Sequence, residues 1–270
     1  MSGKQIIITA DDFGISQEIN EAVEIAHTQG ILSATSLMVG EAFAEDAARR
    51  AKLMPSLGVG LHLALTRGKS VLDPKKIPDL VDASGRFKDN LFMCGLRFFF
   101  NSKVHLQLAA EINAQFKAFQ NFELKLDHVN VHNHMHMHPT VLDLILNIGG
   151  NFGMRAMRLP KTPHAPIYLK PWMLHIKNKL NDNNIHHNDV LMGLSETGKM
   201  NSTTMQQCLK NLSSGVTEIM CHPATGPWAG LDTHAKHFNF DKELAALIHP
   251  DVKTALKNTK AKVIRFGDLK

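Results

Sequence analysis

Two periods alternate along this chain. Short unbroken apolar runs, of which Ile6-Ile7-Ile8 within residues 5–10 is the first, read as strands buried on both faces, as in a parallel sheet. Between them lie stretches with helical spacing; residues 16–30 open on Ser16 as N-cap, carry Glu18 in the first turn and close near Gly30. The pattern predicts strands over 5–10, 31–39, 57–65, 124–133, 154–159, 190–194, 215–221 and 261–266. Helices are predicted over 16–30, 42–53, 104–119, 139–149 and 202–212, with two short ones before the last strand. Irregular insertions interrupt the rhythm at about 67–102, which ends in the apolar run 91–100, and at 160–188, which holds an apolar helix around Trp172.

Strands alternating with helices predict a parallel sheet with helices outside it. Polar residues recur at or near the C-terminal ends of strands: Asp11 and Asp12 after the first, His62 in the third, His132 and His134 in the 124–133 strand, and His222 after 215–221. Those ends form the functional face of a β/α barrel, whereas a doubly wound sheet typically carries a Gly-rich phosphate loop. Neither GxGxxG nor GxxxxGK[ST] occurs. The expected fold is therefore α/β, a distorted TIM-like β/α barrel forming one domain over residues 1–270.

His128, His132, His134, His136 and His138 all fall on even positions. In an extended strand that spacing puts the imidazoles on one face and Val129, Val131, Met135 and Met137 on the other. One imidazole face on a packed strand suggests a metal site. Such a site takes three or four groups, so packing or supporting roles fall to the remaining histidines. An internal run interleaved with apolar residues is not an affinity tag.

Composition adds bounds. With 270 residues, 44% of them hydrophobic and 20% charged, the chain can build one substantial core. Its net charge of +5 is too mild to imply nucleic acid, and no basic cluster is interleaved with aromatics, although a basic face toward anionic lipid stays open. Cys94, Cys208 and Cys221 show no CxxC spacing, which predicts neither a disulfide framework nor a cysteine zinc site, and so a reduced, cytoplasmic setting. The start, Met-Ser-Gly-Lys-Gln, lacks the apolar core of a signal peptide, and no run approaches the roughly twenty apolar residues of a spanning helix. A soluble protein, or one peripheral at the inner face of the membrane, is expected.

A metal bound by Asp12, His62 and His132 would have three protein ligands and an open position, the catalytic pattern. Asp11, next to a ligand, is then a candidate general base for a water, and His222 a candidate acid for a departing amine. The bland readings are a helix-capping Asp-rich turn and an ordinary loop histidine before a proline. Arg155 and Arg158 either orient Asp11 or are surface charges. The run 91–100 is either a buried or dimer contact or an apolar flap beside the site.

The phrases Thr9-Ala10-Asp11-Asp12-Phe13-Gly14, Gly60-Leu61-His62-Leu63 with Leu65-Thr66-Arg67-Gly68, His128 through His136, and Met220-Cys221-His222-Pro223-Ala224 resemble the successive motifs of the YdjC-like carbohydrate deacetylases, which include the chitooligosaccharide deacetylases. The resemblance implies a distorted β/α barrel, one divalent metal ion and removal of acetyl from N-acetylated amino sugars. By motif it assigns Asp11 as base, Asp12, His62 and His132 as metal ligands and His222 as acid, leaving His128, His134, His136, Arg155 and Arg158 to substrate-facing or supporting roles. Zn²⁺ suits the ligand types; Mg²⁺ stays open. Phrases such as Ala34-Thr35-Ser36-Leu37-Met38-Val39-Gly40 and Arg97-Phe98-Phe99-Phe100 resemble the hopanoid-biosynthesis-associated HpnK subgroup, while Asn130 stands where the chitooligosaccharide enzymes carry Asp. The implied substrate is an N-acetylglucosaminyl hopanoid glycolipid. Its rivals are a soluble chitooligosaccharide deacetylase, a non-catalytic histidine-rich metal-binding protein and a peripheral lipid carrier. A homodimer and peripheral membrane contact are open; no nucleic-acid partner is expected.

Overall fold

Ile6, Ile7 and Ile8 are fully buried at the centre of β1 (Lys4–Phe13), the strand around which a parallel sheet forms. The computed structural model describes residues 3–270; Met1 and Ser2, the start of the terminus read as lacking a signal peptide, lie outside them. After β1 come α1 (Gln17–Thr28), β2 (Ala34–Leu37), α2 (Ala44–Lys52) and β3 (Gly58–Leu63). Ser16 caps α1 as expected, its Oγ accepting from the Ile19 N–H at 3.2 Å. Then follow α3 (Leu91–Phe100), α4 (Ser102–Asn121), β4 (Val129–Val131), α5 (Pro139–Gly149) and α6 (Lys170–Asp182). The chain ends with β5 (Val190–Met192), α7 (Ser202–Lys210), β6 (Gly215–Cys221), α8 (Phe240–Ile248), α9 (Pro250–Asn258) and β7 (Lys262–Val263).

The strand order is β4-β3-β2-β1-β6-β5, every pair parallel, with β7 added beside the start of β1. The expected strand over 154–159 exists only as isolated bridges, Val129 to Met157 on one side and Ala156 to His186 on the other. Those bridges, with Leu191 N–H donating to Lys161 O at 2.8 Å, join β4 to β5 and bring the sheet round into a distorted barrel. The larger core packs the sheet against its helices. A smaller cluster of Ile7, Ala34, Ala156, Val216, Ile264 and Phe266 fills the barrel at the strands' N-terminal ends.

The histidine stretch differs most from its expected form. β4 spans only three residues, and His132–Met137 forms a tight 3₁₀ stretch in which Asn133 and His134 take left-handed φ of 54° and 53°. Asn and His tolerate that region better than branched residues do, so the chain turns off the sheet instead of extending. The imidazoles do not share a strand face. The run 91–100 is helical, and the insertion at 160–188 contains α6 as anticipated. Among the described residues no helix is long and apolar enough to cross a membrane. Cys94, Cys208 and Cys221 are buried and unbonded to one another.

Candidate metal centre and active site

Residues of alternate parity on a barrel strand face inward. On β1 these include Ile7, in the interior cluster, and Asp11, which meets inward groups from three other segments. Regular alternation would then turn Asp12 outward. Instead the pairing with β2 slips between Ala10 and Phe13, and Asp12 adopts φ 69°, so both acids line one pocket.

Asp12 Oδ1 is buried without a hydrogen-bond partner, 3.4 Å from His62 Nε2 and 3.2 Å from His132 Nδ1. The two ring nitrogens are themselves 3.2 Å apart. Two imidazole nitrogens and a carboxylate oxygen converging without any other partner for that oxygen is a donor set that can hold a divalent metal ion. His62 is oriented for it: its Nδ1 lies 2.6 Å from Asn130 Oδ1, which fixes the proton there and leaves the Nε2 lone pair toward Asp12.

Asp11 sits under this cluster, almost wholly buried. Its Oδ1 accepts from Ser36 Oγ at 2.8 Å, Asn130 Nδ2 at 2.9 Å and Arg158 Nη2 at 2.9 Å; its Oδ2 accepts from Arg158 Nη1 at 2.6 Å. Oδ1 is saturated, while Oδ2 retains a lone pair. Burial pushes this carboxyl up, but the charge and hydrogen bonds of the Arg158 guanidinium outweigh it and hold the group well below the usual carboxylate range. Arg158 is fully buried and also pairs with Glu218, Nη2 to Oε1 at 2.6 Å. Arg158 is therefore not a surface charge: its guanidinium is buried against Asp11. Arg155 does not join it: its side chain is exposed and only its carbonyl, bonded to His186 N–H at 2.9 Å, serves the fold.

The pocket, about 400 Å³, is lined by Asp11, Asp12, His62, His132, His134 and His222, with Arg67 and Trp228 also on its walls. His222 Nδ1 is buried without a partner, and its backbone N–H donates to Glu243 at 2.6 Å. Burial and the Arg158 charge push His134 down to about 3, so it stays neutral, with Nδ1 unpartnered. His136 does not line the pocket. It is fully buried, edge-on to His134 at 5.8 Å, and burial holds it neutral too. His128 faces the barrel floor, stacked on Phe266 at 4.4 Å and bonded to Asp127 at 3.0 Å. That removes it from any substrate-facing role. Gly60 makes room for it, since a Cβ there would lie 2.5 Å from the His128 ring. A larger cavity of about 570 Å³, lined by Lys4, Lys210 and Asn258 among others, includes none of Asp12, His62 and His132.

Ser36, Glu218 and Glu243 escaped the sequence reading. Glu218 did leave a signal: an acid in the middle of the apolar strand Val-Thr-Glu-Ile-Met-Cys needs a buried cation, and Arg158 was already a candidate.

The profile of the YdjC-like protein family matches residues 5–258. A carbohydrate deacetylase of Brevibacillus brevis is 29% identical over 272 residues, spanning 98% of this chain and 99% of the relative. A carbohydrate deacetylase of Thermoanaerobacter pseudethanolicus is 26% identical over 267 residues, 99% of this chain and 100% of the relative. In structure, an Enterococcus faecalis V583 protein assigned to cellobiose-phosphate cleavage superposes with a TM-score of 0.78 at 23% identity, over 98% of both chains. That likeness concerns the fold.

Proposed function

This chain belongs to the YdjC-like family, and on that footing we propose that it is a metal-dependent carbohydrate deacetylase which hydrolyses the acetamide of an N-acetylated amino sugar. The observation that carries the reading is the unpartnered Asp12 Oδ1 facing His62 and His132, directly beside the Arg158-anchored Asp11. A divalent ion held by Asp12, His62 and His132 would polarise the acetamide carbonyl and acidify a water. Their donor types favour Zn²⁺ over Mg²⁺.

The chain's own groups divide the remaining work. Asp11 Oδ2 takes the proton of the attacking water, its carboxylate kept ionised and aimed by Arg158. His222, on the same pocket wall, hands a proton to the departing sugar amine. His134, neutral and with a free Nδ1, offers a hydrogen bond to the substrate. Trp228 presents an apolar face against which a sugar ring can stack.

Within this class we assign an N-acetylglucosaminyl glycolipid, of the hopanoid type, in preference to a free chitooligosaccharide. Support comes from Asn130. Its amide donates to Asp11 and its oxygen accepts from His62, a neutral link where the chitooligosaccharide enzymes are expected to carry a carboxylate. Acetate release from diacetylchitobiose and from an N-acetylglucosaminyl hopanoid, assayed side by side, tests the assignment. Turnover of the glycolipid at a higher kcat/KM supports it, and robust turnover of the chitobiose alone rejects it. The non-catalytic metal-buffer reading expects several metal ions per chain, whereas the described residues offer one three-residue cluster, with His128, His136 and His138 outside it.

A further inference from the structure

Beside the loop that carries His132 and His134, the surface is apolar and uncovered. α3 buries Cys94 and Phe98, while Phe92, Met93, Leu96, Phe99 and Phe100 stand exposed, Phe92 at 73% and Phe100 at 76%. Positions 92, 96, 99 and 100 form one helical stripe, on the side where a water-facing helix places polar groups. A contiguous exposed patch of this kind marks an interaction surface. On the other flank of the loop, Ile167 and Tyr168, just before α6, are 77% and 75% exposed. Both flanks are tied to consecutive loop residues: His138 Nε2 bonds Gly95 O at 3.0 Å and its ring packs edge-on to Phe98 and Phe99, while Trp172 Nε1 donates to Met137 O at 3.0 Å. The patch thus borders the end of the barrel that holds the metal-ligating cluster.

Charge selects the occupant. Residues 90–110 and 144–181 contain no Asp or Glu. Lys103, Lys161 and Lys170 are exposed and join no ion pair among the described residues, whereas Arg97 is offset by Asp79 at 3.2 Å. The nearest acid before α3 is Asp89. A second copy docked on a two-fold axis through this face would set lysines against lysines, a costly juxtaposition. An anionic bilayer accepts both features, with aromatic side chains at the acyl boundary and lysines among the phosphates. We propose that α3 and the segment before α6 form a docking face for an anionic lipid surface. The proposal rests on exposure and charge and not on the reaction, so it and the hydrolytic reading can fail separately.

Sedimentation of the full chain with vesicles of phosphatidylcholine, with and without phosphatidylglycerol, tests it. The chain is expected to bind the phosphatidylglycerol vesicles and to be released several-fold by high salt. Phe92→Ser/Phe100→Ser should weaken binding by about tenfold or more, given the apolar area withdrawn from the interface, while its melting temperature and its acetate release from a soluble acetylated sugar stay at the parent's values. Lys103→Glu/Lys170→Glu should erase the preference for the anionic lipid. Failure of the parent chain to bind either vesicle, or unchanged binding by the phenylalanine variant, overturns the proposal. So does a concentration-dependent dimer, dispersed in that variant, from a chain that ignores vesicles.

Discussion

Asp11 gathers four donated hydrogen bonds from Ser36, Asn130 and Arg158, and almost none of its surface reaches solvent. If its role is to take a proton and Asp12's is to bind metal, the two neighbours separate cleanly under substitution. Asp11→Asn is expected to lower kcat by about 10²–10⁴-fold, the usual contribution of a general base, while elemental analysis still finds one metal per chain. Arg158 is held between Asp11 and Glu218, with no solvent to replace either partner. Arg158→Met strands two carboxylates and should cost about 3–5 kcal/mol in urea unfolding. Arg158→Ala/Glu218→Ala, which removes the cation together with one of its acids, should cost less than the sum of its parts. At this scale the chain was partly legible. Asp11, Asp12, His62 and His222 announced themselves as polar residues at the ends of apolar strands. Ser36 did not, because a serine inside a buried strand gives no hint of which distant carboxylate it will meet.

The histidine stretch shows where element-level reading stops. A period of two assigns a shared face only while the backbone stays extended, and the left-handed Asn133 and His134 end that condition one residue after His132. The same turn delivers His132 and His134 to the pocket and sends His136 into the core. Below it, β4 is anchored at the barrel floor. Asp127 accepts from Gly267 N–H at 2.9 Å and from His128 Nδ1 at 3.0 Å, and His128 stacks on Phe266. Burial pushes the Asp127 carboxyl up, but the bonds from His128 and Gly267 N–H outweigh it and the group rests below its ordinary value. A carboxyl lowered by folding stabilises the fold above the unfolded value of about 4, and that contribution fades as pH falls through the folded value. Asp127→Asn should therefore melt below the parent at neutral pH, with the gap narrowing below about pH 4. A gap independent of pH would mean that the charge of Asp127 contributes nothing.

For the whole molecule, the regular alternation of strand and helix made the barrel foreseeable, because parallel strands need crossovers and crossovers need helices. Its closure was not foreseeable in form. The segment over 154–161 holds the gap between β4 and β5 through single bridges, so no sustained strand pattern forms there. We propose that the barrel and both insertions unfold as one domain, since one core cluster runs from Ile6 through Phe98 and Met173 to Leu256. A single transition, coincident by fluorescence and far-UV circular dichroism, is expected. The central claim joins the metal cluster to the chemistry. It is tested most directly by acetate release from an N-acetylated amino-sugar conjugate, measured before chelation, after chelation and after return of Zn²⁺. The account predicts loss of release on chelation, recovery with the returned ion, and no recovery in an Asp12→Ala/His132→Ala variant. Release that persists in the chelated protein, or in that variant, would contradict it.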